Sequence, residues 1–144
     1  MMRRLSLTAI LLVTSFLAAC GQVEPVIVSV SMPECTYRGP ALMKEGVVSL
    51  SLTLNGLGRA RVVLVELEDG HEYNEVETRL EQSVDWDRPP EWLRPVIDLQ
   101  LRDEQGVMGI EDTARLTTGQ YAVVCVDEGS GEARPASPLE VRGS

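Results

Sequence analysis

The chain has 144 residues, with 22 acidic against 13 basic side chains, three cysteines, one histidine and six aromatics. That length accommodates one domain, because a single core takes roughly 100–150 residues, and it excludes a pair of catalytic domains. A net charge of −9 argues against nucleic acid as a partner, since phosphate binding relies on clustered Lys and Arg that gain by releasing counterions. An apolar content of 44% excludes a wholly disordered chain.

The first element in chain order is a processing signal. Arg3 and Arg4 form a positive start, and Leu5 to Ala19 is an uncharged, mostly apolar run that ends on small residues. It is too short for a stable membrane span. The run closes on Leu17-Ala18-Ala19-Cys20-Gly21. This resembles the lipobox of bacterial lipoproteins, where cleavage falls immediately before a cysteine whose thiol carries diacylglycerol. The resemblance implies a signal peptide over 1–19, lipidation of Cys20, a tether over 20–25 and a folded domain over 26–144. It also implies an extracytoplasmic location in the bacterial cell envelope, with the membrane as a partner through the lipid. The alternative is an ordinary secretory peptide with Cys20 present by chance. Removing residues 1–19 leaves 125 of the 144 residues and, with Arg3 and Arg4 gone, takes the charge from −9 to −11.

With Cys20 on lipid, Cys35 and Cys125 remain in a chain exported to an oxidising compartment, and two cysteines allow one connectivity. A Cys35–Cys125 disulfide is therefore expected, in preference to a metal or redox thiol, because neither residue belongs to a Cys-x-x-Cys pair.

From Val26 the pattern alternates. Val26, Val28, Val30 and Met32 share one face of a predicted strand that Pro33 ends. Cys35 to Arg38 is a short extended piece before Gly39-Pro40. After Gly46, Val48, Leu50, Leu52 and Leu54 alternate with Ser49, Ser51 and Thr53, and the glycines of the 55–58 segment predict a turn into a partner strand over 61–68. That strand is apolar on both faces, so a central position is expected. Tyr73, Val76, Leu80 and Val84 recur at helical spacing and predict one short helix near 72–83, with Asn74 and Glu77 as its capping box. Three prolines between 85 and 95 break regular structure. Strands are then expected around Ile97–Leu101, Thr113–Leu116 and Gln120–Val126, with loops over 103–112 and 130–137 and a final edge strand over 138–142. Seven or eight short strands with one helix predict a mainly β, antiparallel sandwich of immunoglobulin-like or cupredoxin-like type.

The segment Gly119-Gln120-Tyr121-Ala122-Val123-Val124-Cys125 resembles the G-x-Y-x-x-x-C strand of cupredoxin-like domains, with Pro138–Val141 where their closing strand lies. Cys35-Thr36-Tyr37-Arg38-Gly39-Pro40 is similar to a segment of small exported lipoproteins. In copper-binding members the cysteine is a metal ligand together with two histidines. This chain has a single histidine, His71, so no metal and no cofactor are expected, and Cys125 is better read as a disulfide partner.

The remaining candidates have modest alternatives. His71, among Glu68, Asp69 and Glu72, is a solvated turn residue unless it serves as a ligand or paired base. The acidic residues between 66 and 87 read as a solvated helix face, since no calcium-loop pattern is present. Trp86 and Trp92 flank Pro89-Pro90 and form either a platform for a glycan or peptide or a plug for the end of the sandwich. No nucleophile elbow or histidine triad is visible. The expected function is a non-catalytic binding or interaction module anchored by lipid. The alternatives are a structural or accessory envelope lipoprotein and a metal-handling domain of cupredoxin type.

Overall fold

The computed structural model describes residues 23–56, 58–102 and 109–144. The expected signal peptide over 1–19 and Cys20 lie outside them. Among the described residues, nine strands and one helix follow in the order β1 (Val26–Met32), β2 (Thr36–Arg38), β3 (Leu42–Lys44), β4 (Gly46–Leu54), β5 (Arg59–Leu67), α1 (Tyr73–Leu80), β6 (Leu93–Arg102), β7 (Gly109–Leu116), β8 (Gly119–Asp127) and β9 (Glu132–Arg142). They form two sheets, one ordered β2-β1-β4-β7 and the other β3-β9-β8-β5-β6. The expected mainly β sandwich with one short helix is thus observed.

Burial explains the layering. Val28 and Val30 of β1 and Val48, Leu50 and Leu52 of β4 point across the sandwich. They meet Val62 and Leu64 of β5, Ile97 of β6, Val123 and Cys125 of β8 and Leu139 of β9. The second sheet is apolar on its other face as well. There Val63, Val65, Ala122 and Val124 pack beneath α1 against Val76, Leu80, Trp86 and Leu93. The molecule therefore has three layers, and each fully buried Val or Leu contributes about 1.5–3 kcal/mol. Strand β5, buried on both faces, lies between β8 and β6, in the central position its composition predicts.

Several sequence expectations need correction. The sheets are not wholly antiparallel: β1 runs parallel to β4 and β3 parallel to β9. The 55–58 segment is not a hairpin turn, because β4 belongs to the first sheet and β5 to the second. The reason lies in their faces. Strand β4 has a polar side of Ser49, Ser51 and Thr53 that suits an outer sheet with one buried face, whereas β5 is apolar on both sides and suits the middle layer. Strand β6 starts at Leu93 and accepts Pro95 because it is an edge strand, where a missing N–H breaks no ladder bond, and its pairing with β5 shifts register between Leu64 and Val65. The expected loop at 130–137 is largely strand: β9 begins at Glu132 and shifts register opposite Val123 and Val124. Nor is the 138–142 segment a bare edge, since β3 pairs with β9 over Glu140 to Arg142. Strand β7 begins at Gly109 rather than Thr113.

Helix α1 is shorter than expected and is capped differently. Glu72 is its N-cap, and the Glu72 N–H donates to the Glu75 carboxylate at 2.6 Å, so the box lies two residues earlier than Asn74 and Glu77. Ser83, at φ 61°, stands just beyond the helix.

The outer face of the first sheet is built from short side chains. Cross-strand pairing places Ile27, Ser49 and Thr113 in one row, Arg38, Ser29, Ser51 and Glu111 in the next, and Thr36, Ser31, Thr53 and Gly109 in a third. Rows repeat about every 6.6 Å and strands about every 4.8 Å.

The β7–β8 turn is fastened to the loop before β4. The Thr118 N–H and hydroxyl donate to the Glu45 carboxylate at 2.8 and 2.7 Å. These two bonds hold the Glu45 pKa below its ordinary value. An acid with a depressed folded pKa contributes stability above its unfolded pKa, and that contribution is lost as pH falls through the folded pKa. We expect Thr118→Val to raise the Glu45 pKa toward the ordinary carboxylate value and to move the acid-unfolding midpoint to higher pH. Carboxyl NMR titration reads the first effect, and an unchanged Glu45 titration would show that the hydroxyl bond is immaterial.

Candidate functional site

The most structured surface lies where β5 leaves the second sheet and β6 enters it. A turn over 68–71 precedes α1, with Gly70 at φ 93°, a conformation that favours glycine. Two backbone bonds fix the turn: the His71 N–H donates to the Glu68 carbonyl at 3.1 Å, and the Glu68 N–H donates to the Trp92 carbonyl at 2.9 Å. The His71 ring then lies on the Trp92 ring, with centroids 4.6 Å apart and planes 13° from parallel. Its Nδ1 is 3.3 Å from the Glu75 carboxylate. His71 is therefore not a free turn side chain, and one face of Trp92 is occupied by it.

Two open grooves meet at Trp92. One, of about 430 Å³, is lined by Glu66, Glu68, Asp69, Glu91 and Arg94. The other, of about 300 Å³, runs along α1 past Asn74, Thr78, Arg79 and Gln82. Arg94 pairs with Glu66 in the first groove, and its remaining charged lining is acidic.

Trp86 does not share this surface. It is 6% exposed and packs beneath α1. Of the two readings left open by the sequence, a joint platform or a plug, Trp86 takes the buried one, and the two tryptophans form no joint platform. The segment between α1 and β6 crosses back under the helix, and the largest side chain available fills the space there. Trp92 is half-buried and is the one of the two that reaches a groove.

The same crossing carries a cluster that the sequence reading missed. Arg61, on the helix-facing side of β5, donates from Nε to Asp98 at 2.8 Å and from a terminal nitrogen to the other Asp98 oxygen at 2.6 Å. It also donates to Asp87 and to the Trp86 carbonyl, each at 3.3 Å. The hydrogen bonds from Arg61 to Asp98 raise the guanidinium pKa further. The available signal was a lone arginine in the helix-facing set of a strand buried on both sides.

Cys35 and Cys125 are joined, with Cα atoms 5.9 Å apart. Cys125 lies in β8 facing the inter-sheet core, and Cys35 lies in the β1–β2 connection, so the bond links the two sheets. Beside it, Arg134 of β9 donates to the Pro33 carbonyl at 2.7 Å. The Tyr37 hydroxyl donates to the Pro40 carbonyl at 2.7 Å, and its burial pushes the phenol pKa up. A Cβ on Gly39 would stand 2.9 Å from that hydroxyl, which accounts for glycine there.

His71 and Cys125 lie on opposite sides of the second sheet, because Cys125 faces the inter-sheet core while Trp92, on which His71 stacks, packs with the cluster under α1. They cannot share a ligand. Among the described residues, no three His, Cys, Asp or Glu side chains converge to hold a metal ion, and no helix is long and apolar enough to cross a membrane.

No protein-family model matches the sequence, and no curated protein sequence matches it. Among solved structures, the fold is similar to dithionite-reduced auracyanin from the photosynthetic bacterium Roseiflexus castenholzii. That similarity has 12% identity and a TM-score of 0.44, and it covers 82% of this chain and 96% of that one. The sandwich assignment stands on the two observed sheets and their shared core.

Proposed function

We propose that this chain is a lipid-anchored, extracytoplasmic binding or interaction module of the bacterial cell envelope, without catalytic activity of its own. The Cys35–Cys125 disulfide is the observation that carries the reading. Such bonds persist in oxidising compartments and are rare where thiols are kept reduced, which agrees with the export signal ending at Cys20. Because the Cys125 sulfur is bonded to Cys35, it is not available as a metal-binding thiolate. The grooves at Trp92 are the surface best shaped to receive a partner, with an aromatic edge between acidic and amide side chains.

Expression of the full chain in a bacterial host, followed by mass spectrometry of the amino-terminal peptide, tests the reading. The expected product begins at Cys20 and carries diacylglycerol, and Cys20→Ser abolishes both cleavage and lipid. An amino terminus elsewhere, or an unmodified Cys20, overturns the anchored reading. A photo-crosslinking residue at Trp92 in intact cells is expected to capture a discrete envelope partner, and absence of any adduct argues against binding there.

A further inference from the structure

The outer face of the first sheet has no element packed on it among the described residues. We propose that this face lies against the headgroup layer of the membrane that holds Cys20, so that lipid and sheet together fix one orientation of the domain. The inference rests on the lipid-anchored reading and specifies which surface meets the bilayer.

The chain leading to the domain restricts its position. Cys20 is six residues before Val26, and a fully extended chain of that length spans at most about 20 Å. The domain therefore remains at the surface, and the face nearest the start of β1 is the one brought closest.

That face suits an interfacial contact. Three large hydrophobic side chains are exposed among the described residues, and two of them, Val23 at 67% and Ile27 at 64%, lie at the chain start nearest the lipid. Ile27 points outward on this sheet, and half-buried Val47 lies one row closer to the start of β4. Beyond them the face is level. Ser29, Ser31, Ser51 and Thr53 are part-exposed and bear short hydroxyls that can donate to phosphate and glycerol oxygens, Ser49 between them is buried, and none projects far enough to hold a bilayer away.

Charge distinguishes this side from the helix side. The face carries Arg38 and Arg115 against Glu111, with Glu24 in the tether. On and beside α1, Glu72, Glu75, Glu77 and Glu81 stand against Arg79. An anionic leaflet attracts Lys and Arg near its surface, so it repels the helix side and accepts the sheet side.

The test uses the full lipidated chain in vesicles of phosphatidylethanolamine and phosphatidylglycerol. Two variants, Thr113→Cys on the sheet face and Glu77→Cys on α1, are each labelled with an environment-sensitive fluorophore. Flotation with the vesicles reports anchoring separately from orientation. The expected result is a blue shift and quenching by headgroup-labelled lipid at position 113, with position 77 unchanged from its value in detergent. Adding Ile27→Glu to the Thr113→Cys variant should reduce that shift. Equal exposure of both positions in floating vesicles overturns the docking proposal and leaves the anchor intact. Failure to float overturns the anchored reading and the docking proposal with it. Protection of position 113 that depends on protein concentration in detergent assigns the face to a second copy of the chain and also overturns the proposal.

Discussion

Replacing both Cys35 and Cys125 with alanine is expected to lower the unfolding free energy of the domain by about 4–5 kcal/mol. The two residues are 90 positions apart, and for a loop of that length the chain-entropy model gives about 4.6 kcal/mol at 25 °C. Packing adds to the loss, because Cys125, toward the end of β8, is 1% exposed in the inter-sheet core. Denaturant unfolding of the soluble domain, with and without reductant, measures the effect. A midpoint insensitive to reductant would mean that the inter-sheet core alone holds β1 and β8 together. The stability range of ordinary domains is about 5–15 kcal/mol, so the double variant is expected to be marginal at growth temperature.

Asp98→Ala is expected to cost about 2–4 kcal/mol, around and below the lower end of the roughly 3–5 kcal/mol for breaking a fully buried ion pair. The Arg61 side chain is 10% exposed, and without Asp98 its charge keeps only Asp87 and one carbonyl as partners. The Asp98 side chain is 34% exposed, so water reaches part of the pair and keeps the loss below the upper limit. Asp87, at 83% exposure, is expected to matter far less, by under about 1 kcal/mol when replaced by alanine. The double variant Arg61→Met with Asp98→Ala should recover most of the loss, because a well-packed apolar side chain replaces an uncompensated charge. A double-mutant cycle measures the coupling, and equal costs for Asp87→Ala and Asp98→Ala would show that the bidentate pair is not the stabilising contact.

Much of the core was legible in the residues. Strands β1 and β4 were readable to the residue, because a strict period of two with Val, Leu and Met on one side leaves a single way to bury that side. Apolar residues on both sides of β5 announced its central position for the same reason. The helix was readable from Tyr73, Val76 and Leu80, though its extent was not, since its caps depend on hydrogen bonds of Glu72 and Glu75 rather than on periodicity. The three residues of β3 were unreadable. So short a strand has no period, and it forms only because β9 offers an edge.

The two tryptophans show where local reasoning stopped. Trp86 and Trp92 flank the same prolines and look equivalent in sequence, yet one is buried beneath α1 and the other borders the grooves under His71. Residue types at that spacing specify no direction. The direction follows from where the segment between α1 and β6 crosses the second sheet and from Arg61, whose guanidinium holds that crossing at the Trp86 carbonyl.

The sequence by itself determined the export signal resemblance, the mainly β class, the burial pattern along the long strands and, with Cys20 set aside by that resemblance, the expected pairing of Cys35 with Cys125. All of these follow from composition, period and count, which are local properties. Tertiary structure alone decided which sheet each strand joins, the parallel β1–β4 and β3–β9 pairings, the stacking of His71 on Trp92 and the Arg61–Asp98 cluster. Each of these brings together residues distant in sequence, and each depends on whether a strand has one face or two to remove from water. That need placed β4 in the outer sheet and β5 in the middle layer, where a simple hairpin would have joined them.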